Sequence, residues 1–339
     1  MMNNNETLPK ELFEPAALDQ QQSELIAKPQ LSFMQDAWLR LKKNKGAVIS
    51  LFVIAILIIM AIIGPHLTKQ GPFDQDSSRT NLPPRIPVVE KLGIFDGTQT
   101  IGGEEVNLYK QNHIKDYYIF GTDALGRDMF ARAWQGTRIS LYIAFLAAII
   151  DMIIGVTYGL ISGYKGGQVD NVMQRIIEIL SGIPNLIVVI LMLLIFSPGI
   201  FSITIAMVIT GWLNMARVVR GQVLKIKNME YVLAAKTLGA SNLRILFKHL
   251  LPNLTGVIII NTMFTIPSAI FFEAFLSFIG IGLQSPAASL GTLIEDGYKT
   301  FQFLPYLMGV PGTIICVLLI AFNMLADGLR DAFDPKMRD

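Results

Sequence analysis

The chain has 339 residues, of which 52% are hydrophobic and only 16% are charged. An average soluble domain carries roughly 25% charged residues, whereas the mean hydropathy of this chain is +0.48. The composition therefore excludes a disordered chain and an ordinary cytosolic enzyme. The formal net charge of +2 provides no global field that would attract nucleic acid. These values are typical of a protein that is dissolved in a bilayer.

Six apolar segments are long enough to cross a membrane, since a transmembrane helix needs about 20 predominantly apolar residues. The predicted spans are Gly46–Gly64, Ile139–Gly163, Ile176–Phe196, Phe201–Ala216, Gly256–Phe275 and Tyr306–Ala326. Prolines interrupt some of them, at Pro184, Pro267 and Pro311. The second span contains Asp151, which costs about 3 kcal/mol, but a dozen large apolar residues return roughly 0.4 kcal/mol each. The predicted fold is an all-α integral membrane protein with six transmembrane helices.

Lys and Arg in the short connections predict the orientation, because cytoplasmic loops carry an excess of positive charge. Basic residues precede the first span, follow the sixth, and occur between spans two and three and between spans four and five. All of them lie on one side if both termini are cytoplasmic. We therefore expect a multi-pass membrane protein whose termini lie in the cytoplasm.

This topology divides the chain into five parts. The first 37 residues are rich in Asn, Gln, Glu and Pro and lack a long apolar stretch, which predicts a flexible tail. The predicted parts are a cytoplasmic tail (1–37), the first helix with its preceding basic residues (38–64), an external loop or cap (65–138), a five-helix core (139–327) and a C-terminal cytoplasmic tail (328–339).

Motifs for catalysis are missing from the sequence. It contains no Gly-Lys dipeptide for a P-loop, no H-E-x-x-H metal motif and no G-x-S-x-G nucleophile motif. One Cys and three scattered His leave little from which to build a metal site. We expect a chain that is not an enzyme and that holds neither a metal nor a cofactor of its own.

The connection between spans four and five is the most informative stretch, NMEYVLAAKTLGASNLRILFKHLLPN. Met229–Leu238 favours a helix, and Gly239 suits the left-handed position that ends one. Ser241 is a suitable N-cap for a second helix over Asn242–Leu250, which leads into span five. Apolar residues available for one face are Val232, Leu233, Leu238, Leu243 and Leu246. This element is either a docking surface for another protein or a basic loop that only satisfies the positive-inside rule.

The same stretch resembles the coupling loop of ATP-binding-cassette (ABC) importer permeases. That motif contains Glu-Ala-Ala, then three residues, Gly, nine residues and Ile-x-Leu-Pro. The matching positions are Ala234, Ala235, Gly239, Leu251 and Pro252. Leu233 replaces the motif glutamate and His249 replaces the isoleucine. The predicted coupling loop spans residues 228–252, and its candidate contact residues also include Glu230 and Ser241.

The resemblance extends over about residues 41–335, and the chain looks like the C-type permease subunit of dipeptide, oligopeptide and nickel importers. Three further segments carry it: Phe120–Leu141 (FGTDALGRDMFARAWQGTRISL), Gly163–Pro184 (GYKGGQVDNVMQRIIEILSGIP) and Glu273–Gly282 (EAFLSFIGIG). It implies the type I ABC importer permease fold and a heterodimer with a homologous B-type permease. It also implies two ATPase subunits that bind ATP and Mg, an external peptide-binding protein and a peptide substrate.

Ionisable residues inside a membrane span are functional hypotheses by default. Glu273 lies toward the outer end of the fifth span and matches a residue of the family. Asp151 lies in the middle of the second span. We predict both as candidates for the translocation path or its gate. For Asp151, the alternatives are a carboxyl hydrogen-bonded to a neighbouring helix or hydrated in a cavity.

Residues 65–138 are too many for a simple connector, and their prolines argue against one long helix. The segment is either a flexible loop or a folded cap that meets a binding protein or closes the outer mouth. The predicted ordered part is Phe120–Phe130, and the predicted docking residues are Phe120, Asp123, Arg127 and Asp128.

Three classes of function are consistent with these features. The first is a permease subunit that forms half of an ATP-driven pathway for oligopeptides, with dipeptides or a nickel chelate as alternative substrates. The second is an ion-coupled secondary transporter, for which Asp151 and Glu273 are the candidate ion-binding residues. The third is a membrane-embedded enzyme, for which the sequence offers no nucleophile or metal motif.

Overall fold

Long apolar helices dominate the computed structural model, which describes residues 32–101, 103–197, 199–284 and 286–334. In chain order the helices are α1 Phe33–Lys43, α2 Lys45–Ile63, α3 Leu108–Gln111, α4 Met129–Lys165, α5 Gly167–Ser181, α6 Asn185–Ile195, α7 Ile200–Ile226, α8 Glu230–Thr237, α9 Asn242–Arg244, α10 Leu251–Phe278, α11 Leu290–Lys299 and α12 Pro305–Phe333. A π-helical stretch, Ile245–Leu250, joins α9 to α10 without a break. Strands β1 Thr98–Ile101 and β2 Glu104–Asn107 form an antiparallel hairpin in which Thr98 pairs with Asn107.

Five helical runs among the described residues are long and apolar enough to cross a membrane: α2, α4, α7, α9–α10 and α12. A sixth candidate is the pair α5 and α6, which is bent by 81°. Six spans therefore result if this pair counts as one. The predicted third span, Ile176–Phe196, is interrupted at Pro184 as expected, because the chain turns between Gly182 and Pro184. Pro184 disfavours a helical Ile183.

The other two prolines do not break their spans. Pro267 lies inside α10 and Pro311 lies inside α12. Neighbouring helices and side chains can re-satisfy the backbone groups that a proline frees within a membrane helix.

Two boundaries of the predicted chain segments differ from the structure. Helix α4 begins at Met129, so residues 129–138 belong to the bundle and not to the external loop, and α12 continues to Phe333 into the predicted C-terminal tail.

Most of the predicted N-terminal tail lies outside the described residues. Its last five residues begin α1, so the boundary at residue 37 is wrong. Ser32 caps this helix, and its hydroxyl accepts a hydrogen bond from the Gln35 backbone N–H. Ala37 and Leu41 of α1 are buried with Ala332 of α12, which fixes the short helix to the bundle.

Helices α4 and α7 approach each other closely along a row of three glycines. A Cβ added to Gly155 would lie 2.6 Å from the Met215 Cβ, and one at Gly159 would lie 2.6 Å from the Ala216 carbonyl oxygen. Gly163 repeats the pattern one turn further along α4. Small residues at intervals of four allow membrane helices to make such backbone contacts, so this row sets the spacing of the two helices.

Residues 65–128 are folded against one end of the bundle. Leu82, Tyr109 and Tyr118 form a small buried cluster in this segment. The Tyr306 hydroxyl of α12 donates a hydrogen bond to the Leu82 carbonyl oxygen at 3.0 Å, which ties the cluster to a long helix. The ordered region is thus larger than the predicted Phe120–Phe130 segment.

Candidate functional site

The 228–252 loop has the predicted helix–glycine–helix geometry. Helix α8 ends at Thr237, and Gly239 adopts a left-handed φ of +81°. The Ser241 hydroxyl then caps α9 by accepting a hydrogen bond from the Arg244 backbone N–H at 3.4 Å. A β-branched or bulky side chain would strain this backbone conformation, which glycine adopts at no steric cost.

One side of the loop is fixed to the bundle by buried apolar residues. Val232 is 2% exposed, and Ile245 and Leu250 are fully buried. They belong to one cluster with residues of α4 and α7, among them Leu160 and Val219. Val232 therefore does not lie on the free face to which the sequence analysis assigned it. Its burial fixes the loop to α4 and α7.

The loop also exposes large apolar side chains. Their exposed fractions are 47% for Leu233, 88% for Leu238, 68% for Leu243 and 63% for Phe247. Sequence reasoning missed Phe247, although it follows Leu243 by four residues and thus shares its helix face. Among the predicted contact residues, Ala235 and Leu251 are half-buried and the others, which are Glu230, Ala234, Gly239, Ser241 and Pro252, are exposed.

Polar contacts brace the same end of the bundle. The Arg220 guanidinium of α7 donates two hydrogen bonds, at 2.6 and 2.7 Å, to the Asp170 carboxylate of α5. The Lys227 ammonium donates to the Gly163 carbonyl oxygen at 2.9 Å, and the Tyr164 hydroxyl donates to the Asn242 side-chain oxygen at 2.8 Å. These bonds connect α4, α5, α7 and the loop.

A polar cavity of about 280 Å³ lies between the membrane helices α4, α6, α7 and α10. Its polar lining consists of Asp151, Asn185, Thr210, Asn214, Asn261, Thr265 and Ser268. No Lys, Arg or His is among the described residues that line it. The helices expose uncharged hydrogen-bonding groups around one carboxylate.

Asp151 is the acidic group of this cavity. The residue is 4% exposed, and its Oδ1 has no hydrogen-bond partner among the described residues. Gly211 faces the carboxylate from α7, where an added Cβ would collide with Asp151 Oδ2. Of the alternatives that the sequence left open, the position in a cavity matches the structure, and the hydrogen bond from a neighbouring helix does not.

Glu273 occupies a different environment. It is fully buried, and it accepts hydrogen bonds from the Ser140 hydroxyl at 2.7 Å and from the Ser277 hydroxyl at 2.8 Å. The Leu290 backbone N–H donates to the Ser140 Oγ in turn, at 3.3 Å. Glu273 joins α10 to α4 and to the start of α11, and it does not line the polar cavity. The structure therefore does not place it on the wall of a path.

Similarity to known proteins identifies the family to which this chain belongs. Residues 155–339 match the family of binding-protein-dependent transport system inner membrane components, and residues 32–84 match the N-terminal membrane domain of oligopeptide transport permease C. The oligopeptide transport system permease protein OppC of Bacillus subtilis is 45% identical over 98% of this chain and 99% of its own length. The chain belongs to this permease family. The resemblance stated from the sequence motifs is confirmed.

Two further comparisons describe the permease. The dipeptide transport system permease protein DppC of Bacillus subtilis is 46% identical over 94% of this chain and 90% of its own length. A chain of the inward-facing MetNI methionine ABC transporter has a TM-score of 0.50 at 18% identity, and the match covers 60% of this chain and 97% of that chain. This likeness supports the ABC importer permease fold, which the sequence predicted.

The predicted docking residues of the permease are mostly buried, and that prediction is corrected. Exposure is 7% for Asp123, 5% for Arg127 and 1% for Asp128, and only Phe120 is half-buried. The Asp123 Oδ2 pairs with Arg127 Nε at 2.6 Å and with Arg132 Nε at 3.4 Å. Buried ion pairs leave little surface for a partner, so these residues hold the segment on the start of α4.

Asp128 has a structural role at the same place. Its side chain caps α4 by accepting a hydrogen bond from the Phe130 backbone N–H at 2.8 Å. Burial raises the pKa of this carboxyl above its usual range. The Phe120 and Phe130 rings, with centroids 5.1 Å apart, complete the contact between the segment and the helix.

The polar lining of the cavity is a feature of the permease that sequence reasoning missed. Thr210 and Asn214 are four residues apart on α7, and Asn261, Thr265 and Ser268 follow helical spacing on α10. Polar residues that recur at intervals of three and four within an apolar span indicate one polar helix face. This pattern was present in the sequence and would have identified the cavity helices.

Proposed function

We propose that this permease forms half of the translocation path for oligopeptides in an ATP-driven importer and that the 228–252 loop couples it to a cytoplasmic ATPase. A homologous B-type permease provides the other half, two ATPase subunits bind ATP and Mg, and an external peptide-binding protein delivers the substrate. This chain then holds no cofactor and hydrolyses nothing. Both termini lie in the cytoplasm of a bacterial cell.

The geometry of the 228–252 loop carries this proposal. Its buried residues tie it to α4 and α7, and it leaves Leu233, Leu238, Leu243 and Phe247 exposed and available to a partner. A rigid protrusion with exposed apolar side chains suits a groove on another protein. Closure of the ATPases against such an element would shift α4 and α7 between two arrangements of the membrane helices.

The polar cavity provides the proposed path. Asn214 and Ser268 are exposed in the described chain although they lie on apolar, membrane-spanning helices. Polar side chains within a membrane normally face the bundle interior or a water-filled cavity. A second permease that covers this side would enclose the polar groups in a shared path, with Asp151 on its wall.

Peptides are the proposed substrates because the related proteins are permeases of peptide transport systems. A dipeptide importer is the second candidate, since the identities to the oligopeptide and dipeptide relatives are 45% and 46%. A nickel chelate and an ion-coupled mechanism are the remaining alternatives. Competition between labelled peptides of increasing length, measured with the reconstituted complex, distinguishes the candidates. Uptake that requires an ion gradient and no ATPase would contradict the proposal.

The coupling role is tested at Gly239. No atom lies within 4 Å of a Cβ added there, so Gly239→Val changes the backbone preference of the turn without a steric clash. We expect the Gly239→Val complex to assemble and to hydrolyse ATP while peptide uptake falls by about tenfold or more, because a β-branched residue disfavours a positive φ. Gly239→Asn is the matched control, since Asn tolerates this conformation. Wild-type uptake by Gly239→Val would contradict the coupling role.

A crosslinking experiment tests the partner directly. Leu238→Cys, in a chain whose exposed Cys316 is replaced by Ser, places a thiol on the most exposed apolar position of the loop. We expect it to crosslink to an ATPase subunit in membrane vesicles. Leu92→Cys is the control, because Leu92 is 76% exposed in the 65–128 segment at the other end of the bundle. Capture of an ATPase by Leu92→Cys and not by Leu238→Cys would contradict the proposed orientation.

A further inference from the structure

Asp151 and the polar cavity point to a specific chemistry that the proposed function leaves open. The carboxylate lies within a membrane helix, is 4% exposed and has an Oδ1 without a hydrogen-bond partner among the described residues. Buried polar groups in folded proteins nearly always have partners. A carboxyl oxygen that lacks one, on the wall of a cavity, is available to accept a hydrogen bond from a ligand.

The surroundings of Asp151 favour a positively charged ligand. The polar side chains that line the cavity with it are Asn185, Thr210, Asn214, Asn261, Thr265 and Ser268, and all of them are uncharged. No Lys, Arg or His of the described chain lines this cavity. None of these neighbours forms an ion pair with the carboxylate. A ligand with a cationic group could pair with Asp151 and donate hydrogen bonds to the Asn, Thr and Ser oxygens.

Gly211 of α7 has no side chain, and this leaves room for the Asp151 carboxylate beside the α7 backbone. An added Cβ at Gly211 would collide with Asp151 Oδ2, so the carboxylate lies directly against the backbone of α7. This contact limits the movement of one carboxylate oxygen, and the other oxygen is the one without a partner. The glycine therefore acts as a positioning residue for the acid.

We infer that Asp151 binds the amino-terminal ammonium of a peptide while the peptide passes through the permease. The inference rests on the proposed function. A primary ammonium is a compact cation with three donors, and a cavity of about 280 Å³ completed by the partner permease has room for the first residue of a peptide. Asp151 then discriminates by charge at the membrane step, independently of the binding protein.

The test compares two peptides that differ only in the ammonium group. Trialanine and propionyl-dialanine have the same backbone, but the second carries a hydrogen in place of the ammonium. Uptake of both is measured in proteoliposomes that contain the complete transporter and its binding protein, with wild-type and Asp151→Asn permease. Because the binding protein is the same in both preparations, its own preference cancels when the two trialanine-to-propionyl ratios are compared.

We expect Asp151→Asn to lower the ratio by about tenfold, since a charge-assisted hydrogen bond becomes a neutral one. Trialanine amide, which retains the ammonium and lacks the terminal carboxylate, is expected to respond to Asp151→Asn as trialanine does. The control variant Asp327→Asn makes the same chemical change at an exposed carboxylate of α12 and is expected to leave the ratio unchanged. Gly211→Ala retains the charge but displaces the carboxylate, and it is expected to lower the ratio as well.

Each other outcome has a defined meaning. An unchanged ratio in Asp151→Asn overturns the inference and leaves the proposed function standing, provided that wild type transports trialanine. If Asp151→Asn does not assemble, an unchanged ratio in Gly211→Ala overturns it instead. Failure of the wild-type transporter to import either peptide overturns the proposed function itself. A second arm replaces sodium by choline, and loss of trialanine uptake in wild type but not in Asp151→Asn would assign the site to an inorganic cation and overturn the inference.

Discussion

Two acidic residues on the membrane helices of this permease have opposite surroundings. Glu273 accepts hydrogen bonds from Ser140 and Ser277 and joins three helices at a fully buried position. Asp151 lies on the wall of a polar cavity and leaves Oδ1 without a partner among the described residues. The same chemical group therefore stabilises the fold at one place and remains available for a ligand at the other.

The difference arises from the neighbours and not from the depth in the membrane. Serine hydroxyls can each donate one hydrogen bond to a carboxylate, and two of them satisfy Glu273 from α4 and from its own helix. At Asp151 the neighbouring helix offers Gly211, which has no side chain with which to donate. Burial of a polar group is tolerated when it is hydrogen-bonded and costs free energy when it is not. Hydrogen bonding thus distinguishes the two acids.

The largest effect on stability is expected for Glu273→Ala. The substitution removes the acceptor of two serine hydroxyls and leaves a void at a fully buried position. We expect the free energy of unfolding to fall by about 3 kcal/mol, from the lost hydrogen bonds and the void together. SDS titration of the purified chain in mixed micelles measures it. An unchanged unfolding midpoint would show that the network contributes nothing to the fold.

A smaller effect is expected for Ser140→Ala on α4. This serine donates to Glu273 and accepts from the Leu290 backbone N–H, so its loss leaves a buried acceptor and a buried donor with fewer partners. We expect a loss of about 2 kcal/mol in the same titration. Thr157→Ala is the matched control on the same helix, because the Thr157 hydroxyl is exposed and donates only to the Ile153 carbonyl oxygen. Equal losses for the two variants would contradict the special role of Ser140.

Local chemistry made part of this molecule predictable. The turn at Gly239 and the cap at Ser241 depend on residues adjacent in the chain, and both have the predicted geometry. The bend at Pro184 was likewise visible as a break, although its angle of 81° depends on the packing of α5 and α6. Such features follow from the backbone preferences of a few neighbouring residues.

Contacts between distant residues were not predictable in the same way. Ser140 precedes Glu273 by 133 positions, so the sequence predicted both Glu273 and Asp151 as candidates for the translocation path. Asp123 and Arg127 looked like surface charges because nothing nearby showed that the segment folds onto α4 and buries them. Burial is a property of the tertiary structure, and a charged residue in a loop carries little information about it.

The smallest expected effects come from matched amide substitutions, which compare the two acids most directly. Glu273→Gln keeps the shape of the side chain, but its amide nitrogen cannot accept the hydrogen bond that one serine hydroxyl donates, so we expect a loss of about 1 kcal/mol. Asp151→Asn removes no hydrogen bond from Oδ1, so the free energy of unfolding is expected to stay within about 0.5 kcal/mol of wild type. The SDS titration resolves the two variants when they are measured side by side. A larger loss for Asp151→Asn than for Glu273→Gln would mean that Asp151 is held by partners in the membrane after all, and the carboxylate would then no longer be free to bind an ammonium group.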